Sequence, residues 1–179
     1  AEKWFGKYFK EISKIRGEYS DKLQIFIGVE VPVVSFNGDL EVTSEMLEKV
    51  DFVLGAAHRY PEMEGRKVKE LSATEAIDLE VRTLESCLQN PNVDAIAHIG
   101  ATCSKYVVKF PEALTRQIIR KATKKGVAVE INPVYHKPLI SFLEICAEEN
   151  AMISLGSNAH GFNDVGYIVK ELKKELNND

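Results

Sequence analysis

Leu23-Gln24-Ile25-Phe26-Ile27-Gly28-Val29-Glu30-Val31-Pro32-Val33-Val34 is the stretch on which the fold turns. It is rich in Ile and Val and too short for a typical helix, so it reads as a strand. A strand that is apolar at nearly every position suits burial on both faces. That is the environment of a parallel sheet covered by helices. One residue breaks the pattern. Glu30 sets a carboxylate near the strand's C-terminal end, and a charge there is costly unless something pairs with it.

The flanking sequence repeats the same grammar. Upstream, Trp4, Phe5, Tyr8, Phe9, Ile12 and Ile15 fall at helical spacing, so an amphipathic helix is expected to end near Gly17. Downstream, Asn37-Gly38-Asp39 is a turn, and Thr43-Ser44-Glu45 starts a short helix through Leu47. A strand follows from about Val50 to His58, then a loop carrying Pro61 and Gly65. Ser72 and Glu75 are spaced as a capping box for a helix running to about Gln89. VDAIAHIG, ending at Gly100, is a strand; after a loop, a helix runs from Pro111 to Lys125 and Gly126 closes it. VAVEINP is a strand, Lys137 to Glu149 a helix, MISLGSNAH a strand and Asn163 to Leu176 a final helix. The alternation predicts an α/β fold over residues 1–179 as one domain, with about five parallel strands and outer helices. A full (β/α)8 barrel has eight strands in roughly 250 residues, so any barrel here is partial.

Composition narrows the function classes. A formal net charge of −4 argues against a nucleic-acid partner, which needs a basic face. No apolar run approaches the ~20 residues of a membrane span, and no signal peptide is visible. Cys87, Cys103 and Cys146 are odd in number and show no C-x-x-C spacing, which suits reduced thiols in a cytoplasmic protein. A chain opening on Ala1 rather than Met reads as a processed, trimmed or partial product.

The strand ends carry the chemistry. Of the four histidines, three lie at C-terminal ends of predicted strands: His58, His98 and His160. Glu30 is at another strand end, and Asn158 stands two residues before His160. In α/β sheets and barrels that edge collects active groups, because its loops converge on one mouth. Each residue alone could be a hydrogen-bonded structural group. Together, a divalent cation would satisfy Glu30, His58 and His98, and carboxylate with imidazole suits Zn, Mn or Fe. His136 and Lys137 follow another strand and could bind an anion such as phosphate, or simply form a solvated loop. Arg59 is either an anion clamp or a surface cation. Cys103 lacks the His/Asp pattern of a nucleophile.

In this order, GVEVPVV with Glu30, FVLGAAH with His58, AIAHIG with His98, VEINP and SLGSNAHG with His160 resemble the PHP (polymerase and histidinol phosphatase) family. The likeness is greatest to its phosphoesterase branch and extends from about Leu23 to Val165. It implies a distorted (β/α)7 barrel with a metal cluster at the C-terminal mouth, acting on a small phosphorylated substrate by phosphate monoester hydrolysis. It implies metal ligation by Glu30, His58, His98 and His160, with position 158 normally an aspartate.

Two departures qualify this. The family's opening His-x-His has no counterpart, since no histidine precedes Glu30, and Asn158 replaces the aspartate with a neutral amide. The expectation is therefore the C-terminal part of the barrel with one well-formed site at Glu30, His58 and His98, and weak or no activity in this chain alone. The alternative is a non-catalytic scaffold or interaction domain of the same fold. A barrel lacking its first strands exposes a sheet edge. That edge should be met by a homodimer or covered by the aromatic N-terminal helix.

Overall fold

The computed structural model describes residues 2–177. Strands β1 (Gly28–Pro32), β2 (Phe52–Ala56), β3 (Ala95–Ile96), β4 (Ala128–Ile131) and β5 (Ile153–Leu155) form one parallel sheet in the order β1-β2-β3-β4-β5. No strand is skipped. In a parallel sheet wound without reversal, the right-handed crossover rule puts the connecting helices on one face, consistent with part of a barrel. The helices are α1 (Glu2–Glu18), α2 (Ser44–Leu47), α3 (Ala73–Cys87), α4 (Ala101–Tyr106), α5 (Glu112–Lys125), α6 (Leu139–Glu148) and α7 (Tyr167–Leu176).

The register sorts the side chains. Glu30 pairs with Leu54, Leu54 with Ala95, Ala95 with Ala128, and Glu130 with Ser154. Because side chains alternate, Val29, Val31, Val53, Ile96, Val129 and Ile131 share the helix-covered face. All six are buried. Ile96, Val129 and Ile131 pack with Leu84 of α3, Ile118 and Ile119 of α5, and Leu139 and Phe142 of α6. A smaller cluster sets Phe5 of α1 and Met46 of α2 on Val29, Val31 and Val53. The opposite face carries Glu30, Leu54, Ala95, Glu130 and Ser154, a mostly small or polar set that leaves room for chemistry.

The local signals act as read. Ser72 Oγ accepts from Glu75 N–H, and Glu75 accepts from Ser72 N–H at 2.9 Å. Gly126 ends α5 at φ +71, where only glycine is unstrained. The boundaries differ more. Only Gly28–Pro32 of the opening stretch is strand, because the residues before it have no strand to pair with; Leu23 and Phe26 are 58% and 62% exposed. The loop after His98 contains α4, six residues with too few turns to show a period. The last helix begins at Tyr167 rather than Asn163, after a separate 3₁₀ turn over Phe162–Asp164.

The free edge of β1 is partly covered. Tyr8 of α1 donates its hydroxyl to Gly28 C=O at 2.7 Å, and Glu41 N–H donates to Pro32 C=O at 3.0 Å. Phe5 is the buried anchor of α1, while Trp4 stays 54% exposed. At the other edge Met152, Ile153 and Leu155 are all about half exposed. No helix among the described residues is long and apolar enough to cross a membrane. All three cysteines are free and buried.

Candidate metal centre

Three adjacent strands deliver the centre. Glu30 projects from β1 on the face away from the helices. The chain leaves β2 at Ala56 and reaches His58 two residues later; it leaves β3 at Ile96 and reaches His98 two residues later. Nε2 of His58 lies 2.9 Å from Glu30 Oε1, and Nε2 of His98 lies 3.1 Å from the same oxygen. One ligand atom from each residue falls within 4.8 Å of the other two. The rings of His58 and His98 are 5.2 Å apart, and Tyr135 flanks His98 at 5.3 Å. His98 is buried, whereas Glu30 and His58 are nearly half exposed, so the group faces solvent on one side.

The electrostatics fit a ligand set. Hydrogen bonds from His58 and then His98 hold the Glu30 carboxyl down to about 2. Burial works to lower the pKa of His98, but the carboxylates of Glu30 and Glu130 outweigh it and the net direction is up. Chemically, two imidazole nitrogens and one ionised carboxylate converge on one point, the donor set of a borderline divalent cation.

Behind His98 the backbone is unusual. His98 sits at φ +22, a value L side chains rarely adopt. Its N–H donates to Glu130 Oε2 at 2.8 Å. Glu130 is 5% exposed. Its Oε1 would lie 2.0 Å from a Cβ at Gly156, so glycine there makes the room. Beyond the turn, Glu80 of α3 is 1% exposed and accepts from Tyr60 Oη at 2.6 Å and from Cys103 N–H at 3.0 Å. Burial pushes the Glu80 carboxyl up to about 7 against those bonds.

Asn158, at φ +51, accepts from Asn132 Nδ2 at 3.4 Å. His160 is exposed, lies outside the three-residue group, and donates its backbone N–H to Asp164 at 3.0 Å. Arg59 is exposed and donates to Glu41 at 2.7 Å. Lys137 is half exposed, 4.0 Å from Glu171. His136 is buried, stacked 3.7 Å on Phe142; its Nδ1 accepts from Asn132 N–H at 3.2 Å and its Nε2 faces Ile99 C=O at 3.4 Å. Burial lowers its pKa to about 4, so this ring is neutral and carries no charge toward an anion. Cys103 is buried, its thiol pushed up to about 11 by burial and then by Glu80. A cavity of about 260 Å³ is lined by Ile99, Lys109, Phe110, His136, Lys137 and Tyr135, the ring that flanks His98.

Glu80, Tyr60 and Gly156 escaped the sequence reading. A signal for Glu80 existed. It falls in the buried stripe Ala76, Glu80, Thr83, Leu84, Cys87 of α3, where an acid is out of character.

The chain is similar to phosphatases. It is 28% identical over 158 residues to a probable phosphatase of Acetivibrio thermocellus, covering 80% of this chain and 56% of that protein. It is 30% identical over 148 residues to a probable phosphatase of Syntrophotalea carbinolica, covering 77% and 54%. It is 27% identical over 183 residues to the histidinol-phosphatase of Lactococcus lactis, covering 86% and 64%. The chain thus spans little more than half the length of the first two. No family model matches it.

Proposed function

We propose that the chain is a metal-dependent phosphatase of the PHP type, acting on small phosphate monoesters in the manner of a histidinol phosphatase. The observation that carries this is the convergence of His58 Nε2 and His98 Nε2 on one oxygen of Glu30, at 2.9 and 3.1 Å. The phosphatase names of the relatives support it. Glu30, His58 and His98 would hold one divalent ion of the Zn, Mn or Fe class. When bound, that ion supplies a Lewis acid for a phosphoryl oxygen.

The residues of the chain do the rest. Glu30 stays ionised far below neutrality and presents a permanent negative ligand. His98 is fixed by burial, while half-exposed His58 leaves a side open for substrate. Arg59, next to His58, and Lys137, on the wall of the neighbouring cavity, hold phosphate oxygens. Neutral His136 braces the turn that carries Lys137. Asn158 and His160 are the remaining candidate ligands.

The test is metal analysis joined to hydrolysis of p-nitrophenyl phosphate with Zn, Mn or Fe. Turnover that Glu30→Gln abolishes is expected. A protein without metal, or turnover indifferent to Glu30→Gln, overturns the reading. One observation favours a second reading, a fold retained without catalysis: Asn158 is engaged by Asn132. Metal binding without any turnover would select it. The half-exposed apolar residues of β5 also suit pairing with a second copy. Light scattering showing only monomer would exclude this.

A further inference from the structure

We infer that two buried carboxylates, Glu130 and Glu80, are positioning residues that hold the turn carrying His98 in ligand geometry. This rests on the metal reading above. A residue at a positive φ such as that of His98 persists only where its surroundings fix it. Here both sides are fixed. On one side Glu130 Oε2 takes the N–H of His98 itself, at 2.8 Å. On the other, Glu80 takes the N–H of Cys103 at 3.0 Å. The same Glu80 oxygen accepts from the hydroxyl of Tyr60, two residues past His58. One helix side chain thus ties both histidine-bearing segments to α3.

These acids cannot be read as ordinary core residues. Acids are almost never fully buried unless paired, and among the described residues neither forms a salt bridge with a lysine or arginine; both accept backbone N–H groups instead. An apolar side chain of the same size would fill the space but would not select this turn. Gly156 completes the device, because any side chain there would meet Glu130. The end of β5 therefore controls where Glu130 stands, and Glu130 controls His98.

The experiment uses Co²⁺ alone as probe, with Glu130→Gln, Glu80→Gln, Gly156→Ala and Tyr60→Phe compared with the unmodified chain. Val127→Ala, at the opposite end of β4, is a control for general destabilisation. Outer-shell partners of metal ligands typically matter by about 10–100-fold in affinity. Glu130→Gln and Glu80→Gln should weaken Co²⁺ binding by that range and shift its visible absorption bands. Val127→Ala should melt earlier yet bind Co²⁺ within about two-fold of the unmodified chain. Unchanged affinity and spectrum in both acid variants overturn the proposal.

A metal-free arm separates this from the metal reading. Hydrogen exchange should show His98 N–H losing protection in Glu130→Gln, and Cys103 N–H in Glu80→Gln. Retained protection at both overturns the proposal. If the unmodified chain binds no Co²⁺, the metal reading falls and the exchange arm alone judges the clamp. Should an acid variant fail to fold, Gly156→Ala and Tyr60→Phe carry the same tests, with the same outcomes deciding.

Discussion

The Cβ that Gly156 lacks would stand 2.0 Å from Oε1 of Glu130. A glycine at the end of β5 is thereby the condition for a carboxylate buried on β4.

Gly156→Ala should therefore destabilise the fold without any backbone strain, since Gly156 has no positive φ. Overpacking of this kind costs about 1–3 kcal/mol. A urea midpoint equal to that of the unmodified chain would show that Glu130 moves aside freely.

Replacing Glu30 by Gln should lower the pKa of His98. Burial already opposes its protonation, and Glu30 is one of the two carboxylates that outweigh burial. NMR titration of the imidazoles in metal-free protein reads this directly. In the metal-bound protein the same change should cost more than the roughly 10–100-fold typical of an outer-shell partner, since Glu30 would be a direct ligand.

His136 should titrate near 4 instead of near its ordinary 6.5. Its folded pKa is depressed, so the unfolded chain binds the proton first as pH falls. The stability this neutral ring contributes is complete above about 6.5 and is lost as pH drops toward 4. By linkage the loss is about 3 kcal/mol. An imidazole signal for His136 titrating at its ordinary value would contradict the buried, stacked placement.

Glu80 behaves in the opposite sense. Its folded pKa is raised from 4.5 to about 7, so the folded state retains a proton that the unfolded chain gives up. Its contribution is complete below about 4.5 and is lost as pH climbs through 7, again by about 3 kcal/mol. Comparing denaturation of the unmodified chain and Glu80→Gln at pH 5 and pH 8 isolates this component. The unmodified chain should lose ground to the variant at the higher pH; a constant gap would refute it.

What the sequence by itself determined is the part that depends on local pattern. Apolar runs near Glu30 and between helical periods are enough to place parallel strands, because strand and helix burial leave different periods in the chain. Ser72 with Glu75, and Gly126, act through neighbours a few residues away, so their roles are legible too. The trio Glu30, His58 and His98 was visible as strand ends of like kind. Tertiary structure alone decided which strand ends meet. The sheet runs in sequence order, so β1, β2 and β3 are neighbours and their three side chains fall within 4.8 Å. His160 follows β5, at the far edge of the same order, and each strand adds about 4.8 Å of separation in an open sheet. Arg59 and Glu41, or Asn158 and Asn132, likewise find each other only in space. Most of all, an acid on the apolar stripe of α3 or in the apolar run of β4 says nothing by itself of the backbone groups that Glu80 and Glu130 meet. Their burial, and the turn they hold, exist only because separate elements close around them.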